Sequence, residues 1–173
     1  ISGMSYHGGL IGALLAVTWY VHKAKLDFWD VADLYFTVVP LGYTFGRLGN
    51  FMNGELFGRA TTAPVGMYFP QAPDKALRHP SQLYEAFFEG IFLFVILWTI
   101  PKIKKPNGAI LALYVIGYGT LRFFIEFFRQ PDAHIGFIFL SFSMGQILCA
   151  LMIAGGIGLY LYLRQTEQRA QNP

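Results

Sequence analysis

The run Gly46-Arg47-Leu48-Gly49-Asn50-Phe51-Met52-Asn53-Gly54-Glu55-Leu56-Phe57-Gly58 places an arginine, two asparagines and a glutamate at the end of an apolar stretch. A guanidinium at hydrocarbon depth costs at least ~2.5 kcal/mol on insertion scales, so it is retained there for a partner, and an anion is the natural one. Arg47 and Asn50 are three apart and share a helix face. There the guanidinium fork can hold a phosphate while the amide donates to a neighbouring oxygen. The alternative is an intramembrane Arg–Glu pair that fixes helix packing. Asn53 and Glu55 fall where the helix gives way to a glycine-rich loop at Gly54 and Gly58.

A second charged stripe lies downstream. Tyr118, Arg122, Glu126 and Arg129 follow an i, i+4, i+8, i+11 course, so one face of an apolar helix carries a phenol, two guanidiniums and a carboxylate. Arg122 can pair with Glu126 within the helix. A buried pair contributes little stability by itself, however, so the face reads as functional. Gln130-Pro131-Asp132 then ends that helix.

Two further clusters are weaker. In His79-Pro80-Ser81-Gln82-Leu83-Tyr84-Glu85, Ser81 is a candidate N-cap, and Glu85 with Glu89 is spaced to receive arginines from other helices. Tyr6-His7-Gly8-Gly9 sets an imidazole suited to proton transfer beside glycines that admit close approach, although a satisfied structural histidine fits the same spacing. Arg47 and Arg122 are the two groups placed to converge on one anion, and in a lipid phase the nearest abundant anion is a phospholipid headgroup.

Five apolar stretches must position these residues: about 4–21, 31–51, 83–100, 109–128 and 139–163. Each approaches or exceeds the ~18 to 20 residues that a bilayer's hydrocarbon requires of a helix. The fold class is therefore all-α, a polytopic integral membrane helical bundle with five transmembrane helices forming one domain over residues 1–173. Lys23 and Lys25, then Lys102, Lys104 and Lys105, then Arg164 and Arg169 follow the first, third and fifth spans. The positive-inside rule puts those ends in the cytoplasm. Ile1 then starts outside, Pro173 ends inside, and the connection of about 53–80 is extracytoplasmic, as is the polar end of the first motif. Arg59, Lys75 and Arg78 weaken that asymmetry without reversing it. Pro40 is expected to kink the second span. Small residues four apart at Gly8/Gly12, Gly42/Gly46, Gly54/Gly58 and Ala154/Gly158 are expected to bring helix backbones together.

Composition agrees with a membrane class: 54% of 173 residues are hydrophobic and only 13% charged, and mean hydropathy is +0.43. A net charge of +3 with no basic cluster argues against nucleic acid. Cys149 is the single cysteine, which excludes a disulfide framework or thiolate metal cluster and reads as a small buried hydrophobe. The five aspartates are scattered, so no metal site or cofactor is expected. The chain opens on Ile1 without a signal peptide pattern, as expected of a fragment of a longer protein.

The Gly46 to Gly58 run resembles the signature of prolipoprotein diacylglyceryl transferases. His7-Gly8-Gly9, His79 through Glu85, and Arg122 through Asp132 are similar to that family's other blocks, in the same order. The resemblance runs from His7 to about Gln146. It implies a multi-pass enzyme of the bacterial inner membrane, of about seven transmembrane helices in full, acting on the outer-leaflet side. Such an enzyme moves the diacylglyceryl group of phosphatidylglycerol onto the lipobox cysteine thiol of a prolipoprotein and releases glycerol phosphate. It also implies that Arg47, Asn50, Glu55 and Gly58 are important signature positions, that Tyr118, Arg122, Glu126 and Arg129 form a functional face, and that His7 is a proposed base.

With physical chemistry added, Arg47, Asn50, Glu55, Gly58, Tyr118, Arg122 and Arg129 are expected to bind phosphatidylglycerol, with His7, Arg47, Arg122 and Glu126 catalytic and the thiol proton passing to His7 or to a carboxylate-coupled water. The nucleophilic cysteine comes from the substrate. The family's two helices before the His-Gly-Gly block have no counterpart here. The rival reading is a lipid or anion transporter using paired intramembrane arginines, which predicts an inverted repeat that the sequence does not display. A purely structural membrane subunit is the third.

Overall fold

The computed structural model describes residues 6–100, 105–130, 137–139 and 142–171, with backbone alone for residues 6, 7, 10, 137–139, 142, 143 and 171. The apolar stretches form five helical rods: α1 (Tyr6–Ala24), α2 (Phe28–Met52), α3 (Ser81–Thr99), α4 (Ala109–Ile125) and α5 (Met144–Gln171). Between α4 and α5, β1 (Phe137–Phe139) pairs antiparallel with β2 (Phe142–Ser143), a small departure from an all-α chain. That pairing takes Phe139, Phe142 and Ser143 out of the expected fifth helix, which starts at Met144 instead of near 139. The helix also runs on past 163, because Arg164, Gln165, Glu167, Gln168 and Ala170 are good helix formers.

Local sequence explains the other ends. Asp27 caps α2 by accepting the amides of Trp29 (2.8 Å) and Asp30 (3.0 Å). The expected N-cap at Ser81 is not formed. Pro80 occupies that position, and Ser81 is the first helical residue, its hydroxyl donating to the carbonyl of Leu56 (3.2 Å). α3 contains a π-helical segment, Glu85–Phe92, between α-helical turns. α4 stops at Ile125, three residues short of its expected end, where amides 127 and 128 turn back to Phe124 and Ile125.

α2 continues through Pro40, and the Thr44 hydroxyl lies 3.0 Å from the Pro40 carbonyl and 3.3 Å from that of Ala86 on α3. A Cβ on Gly90 would overlap the Thr44 hydroxyl, so these two residues mark the close approach of α2 and α3. The paired small residues largely do not serve that purpose: Gly12, Gly42, Gly46 and Gly158 face open space, whereas Gly90, Gly119 and Gly156 meet neighbouring helices. Four-residue spacing marks a helix face without saying whether another helix lies on it. Leu93 and Leu97 of α3 pack with Ile110 of α4, surrounded by Leu113, Tyr114, Tyr118 and Leu121. Cys149 is buried (3% exposed), its carbonyl close to Gly119.

At one end of the bundle α2 caps α4. Asp33 Oδ1 accepts the amides of Ile110 (2.9 Å) and Leu111 (3.2 Å), and Oδ2 pairs with Lys105 (2.7 Å). The carboxylate thus satisfies two orphan donors of another helix and a nearby ammonium. Gly108, at φ +85°, lies against Trp29 and Leu163, which brings the far end of α5 to the same place. Asp33→Ala should destabilise the bundle by about 3–5 kcal/mol, since it strands a half-buried lysine and two helix donors. Asp33→Asn, which keeps the acceptor, should fall between, as read by thermal unfolding in detergent.

Outside these contacts the rods are apolar to their surroundings. Ile11, Leu14, Leu15 and Trp19 on α1, Leu34 and Phe45 on α2, and Val95 and Trp98 on α3 are all exposed. α3 and residues Met144–Ala170 of α5 are each long and apolar enough to cross a bilayer, while α4 is apolar over 17 residues.

Candidate functional site

The opposite end of the bundle collects the charges. Glu85, fully buried, lies in the π-helical segment of α3 and receives three arginines from two other parts of the chain. Arg47 Nε on α2 is 2.9 Å from its Oε2, Arg122 Nη1 on α4 is 3.1 Å from the same oxygen, and Arg129 Nη1 is 2.8 Å from Oε1. Glu89, one turn on and also fully buried, faces Arg122 at 3.6 Å. Glu126 lies 3.5 Å from Arg122 and 3.6 Å from Arg129. Three guanidiniums therefore enclose three carboxylates, and all three keep some exposure, 19% for Arg47 and 16% for Arg122 and Arg129.

Tyr43 completes this hub. Its hydroxyl stands 3.0 Å from Glu85 Oε2 and 2.5 Å from Glu89 Oε2, and its ring lies beneath the Arg47 guanidinium, 4.7 Å from centroid to Cζ. Tyr118 packs edge-on to Tyr43 at 5.8 Å, so it sits in the layer below the ion pairs. Both tyrosines line an apolar cavity of about 400 Å³ between α1, α2, α4 and α5.

A polar chain leads from the hub to the loop. Arg47 Nη1 donates to Asn50 Oδ1 (3.3 Å), Asn50 Nδ2 donates to Glu55 Oε1 (2.8 Å), and buried Gln82 donates to the Glu55 carbonyl (2.6 Å). Asn53 closes α2, with its amide 3.5 Å from Glu55 Oε1. Gly54 (φ +69°) and Leu56 (φ +57°) then reverse the chain. Gly58 lies where three segments meet: its amide donates to the His79 carbonyl (2.9 Å), it bridges Arg129, and a Cβ there would strike the carbonyls of Phe128 and His79. Arg59 Nε donates to the Arg129 carbonyl (2.6 Å). Buried Arg78 pairs with Asp74 (2.9 Å) and donates to Gln130 (3.1 Å). Arg59 and Arg78, read from sequence as exceptions to the charge asymmetry, are internal ties of the loop.

Of the site residues expected from sequence, Arg47, Arg122, Glu126 and Arg129 come together, Asn50 and Glu55 extend the cluster, Gly58 braces the Arg129 segment, and Tyr118 lies one layer away. His7 is on α1, and its side chain lies outside the described residues. The hub itself, Glu85 with Glu89 and Tyr43, was absent from that set. The spacing of the two glutamates signalled arginine acceptors, and Tyr43 sits one helical turn before Arg47, a signal present in the sequence but unused.

Fold and site together define a class: a bundle of apolar helical rods with an arginine–glutamate cluster buried near one end. The chain belongs to the prolipoprotein diacylglyceryl transferase family, whose profile matches residues 1–162. It is similar to the phosphatidylglycerol–prolipoprotein diacylglyceryl transferase of Chlorobaculum tepidum, 63% identical over 99% of this chain and 58% of that protein. Proteins of the same name from Campylobacter lari (52% identical over 97% of this chain and 60% of the relative) and Treponema denticola (46% over 96% and 62%) are also similar. The chain thus spans about three-fifths of the length of these relatives.

Proposed function

We propose that the protein of which this chain is part transfers the diacylglyceryl group of phosphatidylglycerol to the lipobox cysteine of prolipoproteins. It acts from a bacterial inner membrane that the five rods cross, with the hub toward the outer leaflet and the C-terminus cytoplasmic. The observation that carries this reading is the meeting of Arg47, Arg122 and Arg129 on Glu85 in a chain of that family. The sidedness rests on the bundle's polarity, since Lys105 lies with the N-termini of α2 and α4, opposite the hub.

The chemistry follows from the groups present. The substrate thiolate attacks the glyceryl carbon bearing the phosphate, a C–S bond forms, and the C–O bond to phosphate breaks with its electrons kept by the departing glycerol phosphate. Arg47 and Arg122 hold that phosphate and stabilise its growing charge in place of water. Each retains N–H groups beyond those spent on glutamate, because a guanidinium carries five donors. Asn50 and Glu55 offer partners for the glycerol hydroxyls, and Gly58 holds the Arg129 segment close. His7 accepts the thiol proton. His7→Gln should then slow transfer while leaving phosphatidylglycerol binding intact, and unchanged turnover would assign the base elsewhere.

The direct test incubates the full-length protein with phosphatidylglycerol and a lipobox peptide, with mass spectrometry for a thioether-linked diacylglyceryl adduct. The adduct is expected. Its absence with folded protein, or lipid movement without covalent transfer, would replace this reading with that of a carrier.

A further inference from the structure

Glu126 is held by more than arginines. It caps the C-terminal end of α4, and its carboxylate comes down on the first turn of α5 at Gly145, where a Cβ would stand 2.8 Å from Oε1, 3.0 Å from Cδ and 3.3 Å from Oε2. Glu126 is 8% exposed and lies between Arg122 and Arg129. To swing aside, the carboxylate would have to give up its pairing with Arg122 and Arg129. Gly145 has no need of glycine for its backbone, since it lies within regular helix without positive φ. Its missing side chain is what lets the carboxylate lie there.

We propose that Gly145 is a positioning residue for transfer: by leaving room for the Glu126 carboxylate on α5, it fixes Glu126 and, through it, the aim of the Arg122 and Arg129 guanidiniums at the headgroup phosphate. α5 thereby takes part in the site through the space left at Gly145. The inference rests on the transferase reading for its consequence, but the contact itself can be tested apart from activity.

The experiment is a double-mutant cycle in the full-length protein with Gly145→Ala and Glu126→Asp. The alanine methyl displaces the carboxylate, and a shift of about 1 Å in such groups is worth ~10²-fold in rate, so Gly145→Ala should lower transfer kcat by about that factor. Aspartate is shorter by one methylene and withdraws the carboxylate from the methyl. The double mutant should therefore transfer faster than Gly145→Ala alone, and its thermal midpoint should exceed that expected from adding the single shifts. Transfer by Gly145→Ala within twofold of the parent, or single effects that simply add in both rate and midpoint, would overturn the proposal. Coupling in the midpoint without any transfer by the parent would overturn the transferase reading and this role in transfer, while leaving the contact established.

Discussion

Diacylglyceryl transfer by an Arg122→Ala protein is expected to fall by ~10²-fold or more, the loss seen when a preorganised donor to a developing negative charge is removed. Arg122 stands between all three carboxylates, 3.1 Å from Glu85, 3.6 Å from Glu89 and 3.5 Å from Glu126. Its removal therefore takes away the guanidinium proposed to hold the phosphate and leaves the carboxylates facing one another. Arg122→Lys should recover part of the rate, because the charge returns but the planar fork that serves several oxygens at once does not. Rates of lipid transfer to a lipobox peptide check this, and normal turnover in Arg122→Ala would remove Arg122 from the mechanism.

Glu85→Ala should have the larger effect on the fold. Glu85 is fully buried and joins α2, α3 and the end of α4 through three arginines, Arg47, Arg122 and Arg129. Without it three guanidiniums crowd a site that retains two carboxylates, and stranding buried charge in this way costs about 3–5 kcal/mol. The thermal midpoint in detergent should drop by roughly 10 °C or more, and transfer should fall with it. Glu89 faces one of the three arginines, Arg122 at 3.6 Å, and the Tyr43 hydroxyl at 2.5 Å, so Glu89→Gln should be milder than Glu85→Gln. The reverse order would show that Glu85 is not the centre of the cluster.

Much of this arrangement is legible in the sequence, for reasons that particular residues make plain. Apolar length gave five rods because hydrocarbon-length stretches between polar breaks leave few other solutions. The i, i+4 spacing of Glu85 and Glu89 and of Arg122 and Glu126 gave faces, since helical neighbours are fixed by the 3.6-residue turn. What spacing cannot give is which faces meet. Asp33 and Lys105 are 72 residues apart and nothing local marks them as partners. The same holds for Gly145 and Glu126. The Gly42/Gly46 pair carries the pattern of a helix contact yet faces open space, whereas Gly90, outside the proposed pairs, meets Thr44. Ser81 looked like a cap because serine caps often, but here its hydroxyl serves the carbonyl of Leu56 across the loop.

The hub also refines the original alternative for Arg47, phosphate ligand or packing pair. It is an Arg–Glu pair by geometry, at 2.9 Å from Glu85, and it remains 19% exposed with donors to spare. A pair of that kind preorganises a guanidinium: the carboxylate fixes its plane before a ligand arrives, which lowers the ordering cost of binding.

The account turns on whether this cluster holds the headgroup phosphate, and the most direct measurement is lipid affinity in nanodiscs for the full-length parent and its Arg47→Ala and Arg122→Ala variants, with phosphatidylglycerol and with diacylglycerol. The account predicts that each variant binds phosphatidylglycerol at least ~10-fold more weakly, the worth of one charge-assisted contact, while diacylglycerol binding is unchanged. Equal phosphatidylglycerol affinity in all three proteins would contradict it.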